Sequence, residues 1–161
     1  MTEPRWVTRA RQDLGQRESL GANDSPRIRE ILKRFSWQWL TGQPWCGSIL
    51  ADWMTDCGIT PPKNAFRARA WLDWGEEIDG PAVGVVVVFE REGGGHVGIV
   101  VGKDARGRLL VIGGNQSNAV TIAPFDMVRV LGYRLPLGEL ATAAQPLPVL
   151  ASAGASSTNE A

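Results

Sequence analysis

The sequence predicts an α+β fold, with N-terminal helices packed on a mostly antiparallel sheet of about five strands. Two observations carry this. Apolar residues recur at helical spacing through the first half of the chain. From Gly84 onward the period changes, and short β-branched runs are separated by glycine-rich or polar turns. Helices first and a strand meander afterwards belong to an α+β domain.

The elements follow in order. Residues 5–15 read as a helix stopped by Gly15. In "SPRIREILKRF", Ser25 is the N-cap and Pro26 takes the first helical position. Ile28, Ile31, Leu32 and Phe35 then fall at i, i+3, i+4 and i+7. A third helix is expected from about Pro44 to Cys57, with Ile49, Leu50, Trp53 and Cys57 on its apolar face. A fourth is expected in "NAFRARAWLDWG", with Asn64 as cap, Gly75 as stop, and Trp71 and Trp74 in the core. The strands are "VVVVFE", "HVGIVVG", "RLLVIGG", "AVTIA" and "MVRVLGYRL", with "KDARGR" as a hairpin turn. After Pro136 the chain becomes rich in Ala, Ser, Thr and Pro. A single domain over 1–136 and a flexible tail over 137–161 are therefore expected.

Composition narrows the function classes. The 161 residues are 43% hydrophobic and 21% charged, with 17 basic and 17 acidic side chains, as in an ordinary soluble domain. The zero net charge lacks the basic footprint of a nucleic-acid binder. The N-terminal "MTEPRWVTRARQDLG" has no apolar segment of the secretory type, and "VGVVVVF" is too short to span a bilayer. The expectation is a soluble protein, cytoplasmic where it is made, without membrane insertion. If one helix runs through Cys46 and Cys57, they lie roughly 16 Å apart. A disulfide needs about 7 Å, so two free thiols are expected, with Cys57 a small core residue before Gly58.

Cys46 raises the chemical question, because it opens a helix instead of lying in its apolar stripe. The unpaired N–H groups of a first turn stabilise a thiolate and can serve as oxyanion donors. Packing is the plain alternative. A nucleophile needs a base, and His96 is the only histidine in the chain. It stands at the mouth of a strand beside three glycines, so it is either the base or an exposed turn residue. Asn115 follows across one hairpin, where its amide oxygen could accept the Nδ1–H bond and fix the imidazole; the alternative is a polar turn residue. Trp45 either walls the cleft or packs in the core.

Other chemistries fit poorly. One histidine and two separated cysteines do not make a zinc site, and there is no Asp-rich calcium loop. "GGGHVG" lacks the Lys-Ser/Thr of a phosphate loop. Asp73, Glu76, Glu77 and Asp79 read as a solvated surface. No cofactor is expected.

Cysteine at a helix start, histidine on a strand and a polar residue on the next strand is the order in NlpC/P60 and CHAP cysteine peptidases. The chain resembles that superfamily, in its phage-associated lysin branch. The matching stretches are "LGQRESLGANDSPRIREIL", "PWCGSILADWM", "WLDWG", "GGHVGIVVG", "VIGGNQSNAV" and "VLGYRLP", spanning about residues 14 to 136. Val85 follows Gly84 where relatives usually carry Asp, and Glu18 and Asn23 match the early motif. The resemblance implies a papain-like fold and cleavage of amide bonds in bacterial peptidoglycan; a monomer is expected. It places the nucleophile on Cys46, the base on His96 and the orienting residue on Asn115. Gln116 is a near rival for the last role, and Trp45 and Gln116 are expected to meet substrate. An interbacterial effector with the same chemistry, or a non-catalytic wall-binding module, are the competing expectations.

Overall fold

The computed structural model describes residues 3–18 and 25–151; Asn23 lies outside them. The fold is α+β, with a six-stranded antiparallel sheet. Three α-helices come first: α1 (Arg5–Arg11), α2 (Pro26–Arg34) and α3 (Cys46–Asp56). The strands are β1 (Glu76–Ile78), β2 (Val86–Arg91), β3 (Gly94–Lys103), β4 (Leu109–Gln116), β5 (Ala119–Phe125) and β6 (Val130–Leu135). They lie in the order β1-β6-β2-β3-β4-β5. Successive strands β2 to β5 form a meander, and the chain then crosses back to insert β6 between β2 and β1.

The α2 boundaries follow from their caps. The Ser25 side chain accepts from Ile28 N–H, Pro26 starts the helix, and Ile28, Ile31 and Leu32 are buried. Helix α3 is buried along most of its length and packs on β3 and β4, with α1 and α2 against it. Among the described residues no helix is long and apolar enough to cross a membrane. Both cysteines are free thiols; Cys57 is half-buried against the core.

Three expectations need correction. The first helix ends at Arg11, because residues 15–18 extend along β5, with Gly15 N–H donating to Val120 O and Glu18 N–H to Asn118 O. The helix expected from Asn64 to Gly75 is only a 3₁₀ segment over Ala68–Asp73. Asn64 is in the left-handed region (φ 58°) and caps nothing. Two indoles take the backbone there: Trp71 Nε1–H donates to Ala65 O (3.0 Å) and Trp74 Nε1–H to Thr60 O (2.8 Å). The sixth strand, β1, comes from "EEI", which has no strand signature of its own and is held by pairing with β6. Of the expected tail over 137–161, residues 152–161 lie outside the described residues, and residues 137–151 make contacts with the sheet. Lys103 N–H donates to Pro148 O and Leu150 N–H to Lys103 O, a short parallel bridge onto β3, while Leu147 packs on the core.

An ion-pair cluster fastens the three helices to one another. Asp52, buried on α3, faces Arg9 of α1 and Arg27 and Arg34 of α2. Asp13 accepts from Arg27 (2.9 Å) and from Trp53 Nε1–H (2.8 Å). Burial alone would raise the Asp13 pKa, but these bonds hold it below the ordinary carboxylate value.

Candidate active site

Cys46 is the first residue of α3 and is 4% exposed. Its sulfur meets the backbone amides of Val97 on β3 and of Gly47 and Cys46 in the first helical turn. Burial nevertheless raises the thiol pKa. The Val97 amide, the positive charge of Arg91 and the first-turn amides offset only part of it. The helix start therefore does not by itself produce a thiolate, contrary to the sequence expectation. Desolvation outweighs the dipole.

His96 lies in β3, a central strand, and is fully buried. It is neither at a sheet edge nor in an exposed turn. Its ring stacks on Phe125 (centroids 5.4 Å apart, planes 10° apart) and on Phe89 (6.3 Å, 22°). Burial lowers its pKa to about 4. The Gln116 bond works in the opposite direction, and Arg129 and Arg91 add to the lowering. Thiol and imidazole are therefore both neutral at pH 7.

The amide that orients His96 belongs to Gln116, not Asn115. His96 Nε2 lies 3.0 Å from Gln116 Oε1. The Gln116 Nε2 amide donates to Val111 O, Thr121 O and Thr121 Oγ1, which fixes Oε1 as the acceptor. His96 thus carries its proton on Nε2, and Nδ1 keeps the lone pair. Nδ1 is buried and meets no hydrogen-bond partner among the described residues. The sequence expectation had the ring nitrogens the other way round.

A β-bulge is the reason. Gly113 pairs with Thr121 and Gln116 with Ala119, so β4 carries one residue more than β5 between those pairs. Asn115 absorbs the extra residue in the left-handed region (φ 60°). Alternation shifts by one, and Gln116 reaches the Gly113 side that Asn115 would otherwise occupy. A Cβ on Gly113 would come within 2.6 Å of Gln116 Oε1, and one on Gly114 within 2.7 Å of the Trp45 ring. Both glycines of "GGNQ" make room for site residues. Asn115, Ser117 and Asn118 all have positive φ, so "NQSN" is the signal from which the bulge and its tight turn could have been read.

Cys46 thus meets β3 at Val97, the residue after His96, while His96 is bonded to Gln116 and Trp45 lies on Gly114 of β4. Sequence reasoning did not find Phe89 and Phe125, which brace the imidazole, or Arg91 and Arg129, whose charges reach it. For Phe125 and Arg129 the signal is tertiary, since β5 and the chain after it must first fold back; Phe89 and Arg91 lie on β2, and Phe89 pairs with His96 across the β2–β3 hairpin. Among the described residues no group of three His, Cys, Asp or Glu side chains could hold a metal ion. No protein-family model and no curated protein matches the chain.

The buried neutral histidine has a measurable acid signature. Its folded pKa, about 4, lies below the ordinary 6.5. Above pH 6.5 both states are neutral there and stability does not change. Between pH 6.5 and 4 the unfolded chain binds a proton that the folded chain refuses, and about 3 kcal/mol is lost. Asp13 and Asp56, with lowered pKa values, respond at lower pH. Urea midpoints at pH 7 and pH 4.5 should therefore differ clearly for the native chain and much less for His96→Phe. An identical pH dependence in both proteins would refute the assignment.

Proposed function

We propose that the chain is a peptidoglycan hydrolase of the cysteine type, with a papain-like arrangement and the setting of a phage lysin. The observation that carries the reading is the His96 Nε2–Gln116 Oε1 bond, which leaves Nδ1 with its lone pair, while the Cys46 sulfur meets the amide of the next residue, Val97. In this reaction Cys46 Sγ attacks an amide carbonyl carbon while His96 Nδ1 takes the thiol proton. The C–S bond forms, the C–N bond breaks, and the leaving amine takes the proton from His96. Water, deprotonated by His96, then hydrolyses the thioester, giving a carboxylate and the restored thiol.

The neutral resting pair suits general-base attack, since proton transfer accompanies C–S bond formation instead of preceding it. A separate groove of about 550 Å³ on the segment next to β3, lined by none of Trp45, Cys46, His96 and Gln116, has the charge to suit an acidic peptide. Lys63, Arg67 and Arg69 line it against one carboxylate, Asp73. Arg69 also donates to Gly94 O, two residues before His96.

The test is mass spectrometry of purified peptidoglycan treated with the native chain and with Cys46→Ala. New amino groups and shortened stems from the native chain alone are the expected products; intact peptides released from sugar would narrow the activity to an amidase. Uncut material from both proteins, across several wall types, would favour a non-catalytic wall-binding module. The near-complete burial of Cys46 and His96 is the observation on that side.

A further inference from the structure

The segment Ala65–Arg69 passes close to both Cys46 and His96. A Cβ on Gly47, the residue after Cys46, would collide with Ala65 O and come within 3.0 Å of the Phe66 backbone. A Cβ on Gly95, the residue before His96, would come within 3.1 Å of Arg69 Cγ. Arg69 also donates to Gly94 O (3.0 Å). The segment therefore touches α3 beside Cys46 and β3 beside His96.

This segment joins an aromatic shelf to a basic groove. Trp39, in a short 3₁₀ turn over Gln38–Leu40, is 68% exposed. Among the described residues it is the one aromatic side chain that stands in solvent. Its ring meets Phe66 edge-on, with centroids 5.2 Å apart and planes at 83°. Phe66 in turn meets Trp37 (5.3 Å, 76°), which stacks on Phe35 (4.7 Å). Phe35 and Trp37 are partly buried against the core, so the shelf has a fixed base. Arg67 lies over the same Phe66 ring, its Cζ 5.8 Å from the centroid, and it lines the groove with Lys63. Neither cation is ion-paired among the described residues, and Asp73 is the single carboxylate in the groove lining.

A lone exposed apolar side chain is ordinary on a protein surface. Trp39 differs because other rings prop it and cations adjoin it. The C–H groups of a pyranose are weakly positive and lie flat on the electron-rich face of an indole. The neighbouring cations suit carboxylates carried by the same ligand. A nucleic-acid strand would also stack and pair, but the zero net charge of the chain lacks the basic footprint for it.

We propose that Trp39, propped by Phe66, stacks on a sugar ring, and that Arg67 and Lys63 bind the carboxylates of an acidic peptide attached to that sugar. The ligand is a glycan with an acidic stem, held on the surface beside the Cys46 end of α3. The choice of a cell-wall glycan rests on the hydrolase reading above.

The test separates binding from turnover. Labelled Cys46→Ala is titrated with N-acetylmuramyl-L-alanyl-D-glutamate and followed in nitrogen-edited NMR spectra. Saturable shifts are expected at the Trp39 indole and at residues 63–69. Trp39→Ala should weaken binding at least about tenfold and Trp39→Phe by no more than about threefold. Arg67→Ala should weaken it about fivefold or more and flatten its salt dependence. Both side chains are exposed, so the rest of each variant's spectrum should stay native.

Undiminished binding by Trp39→Ala would overturn the proposal, as would the absence of saturable shifts. Equal binding of the dipeptide without its sugar would also overturn it. So would tighter, Trp39-dependent binding of a single-stranded oligonucleotide, which would assign the surface to nucleic acid. A native chain that leaves peptidoglycan uncut, with Trp39-dependent binding of the muropeptide intact, would overturn the hydrolase reading and uphold this site.

Discussion

Gln116→Ala is expected to abolish nearly all hydrolysis, by on the order of 10³-fold in kcat, while the chain still folds. The substitution removes the acceptor that holds the His96 proton on Nε2. The imidazole is then free to place a proton on Nδ1, where it cannot act as base toward the thiol. Stability should fall by about 1–3 kcal/mol, because the carbonyls of Val111 and Thr121 also lose a donor. Asn115→Gly is the informative control: glycine tolerates the left-handed backbone of the bulge, so activity should drop by less than about tenfold. Peptide release from purified walls, followed for both variants beside the native chain, decides the matter. The reverse ranking would return the orienting role to Asn115.

Asp52→Ala should produce the largest loss of stability, about 3–5 kcal/mol. Asp52 is buried and faces three arginines, Arg9, Arg27 and Arg34, from two other helices. Removing it leaves those charges partly desolvated without their shared partner. In a domain of this size the melting temperature should fall by roughly 10 °C. Asp56→Ala breaks bonds to Arg9 and Arg34 at a third-exposed carboxylate and should cost only about 1 kcal/mol. Equal, small effects in urea titrations of the two variants would show that the cluster is decorative.

The parts of the fold legible in the sequence are those fixed by local chemistry. Ser25, Pro26 and the four apolar positions after them define α2 to within one residue. The switch of period at Gly84 announces the strands, and Cys46 falls at a helix start as its setting suggests. The parts that were not legible depend on partners far along the chain. "EEI" is a strand because β6 lies beside it, and the indole bonds of Trp71 and Trp74 hold a 3₁₀ segment where helical periodicity promised a full helix. The candidate site divides the same way. Cys46 and His96 stand out by position and by count, whereas the choice between Asn115 and Gln116 turns on one extra residue in β4. The thiol and imidazole pKa values turn on burial, which spacing alone does not report.

The place of β6 has a consequence for the order in which the molecule can be assembled. Residues 133–135 must arrive before residues 76–78 have any strand to pair with. Until then the flank of β2 that will receive β6 is an open edge on the growing chain, a site for mispairing or for capture by other strands. Such distant pairings also slow folding, since the loop between them must close before any contact rewards it. The strands that carry His96 and Gln116 are under no such delay. Joined by a short hairpin, β3 and β4 can come together while the last strand is still being made.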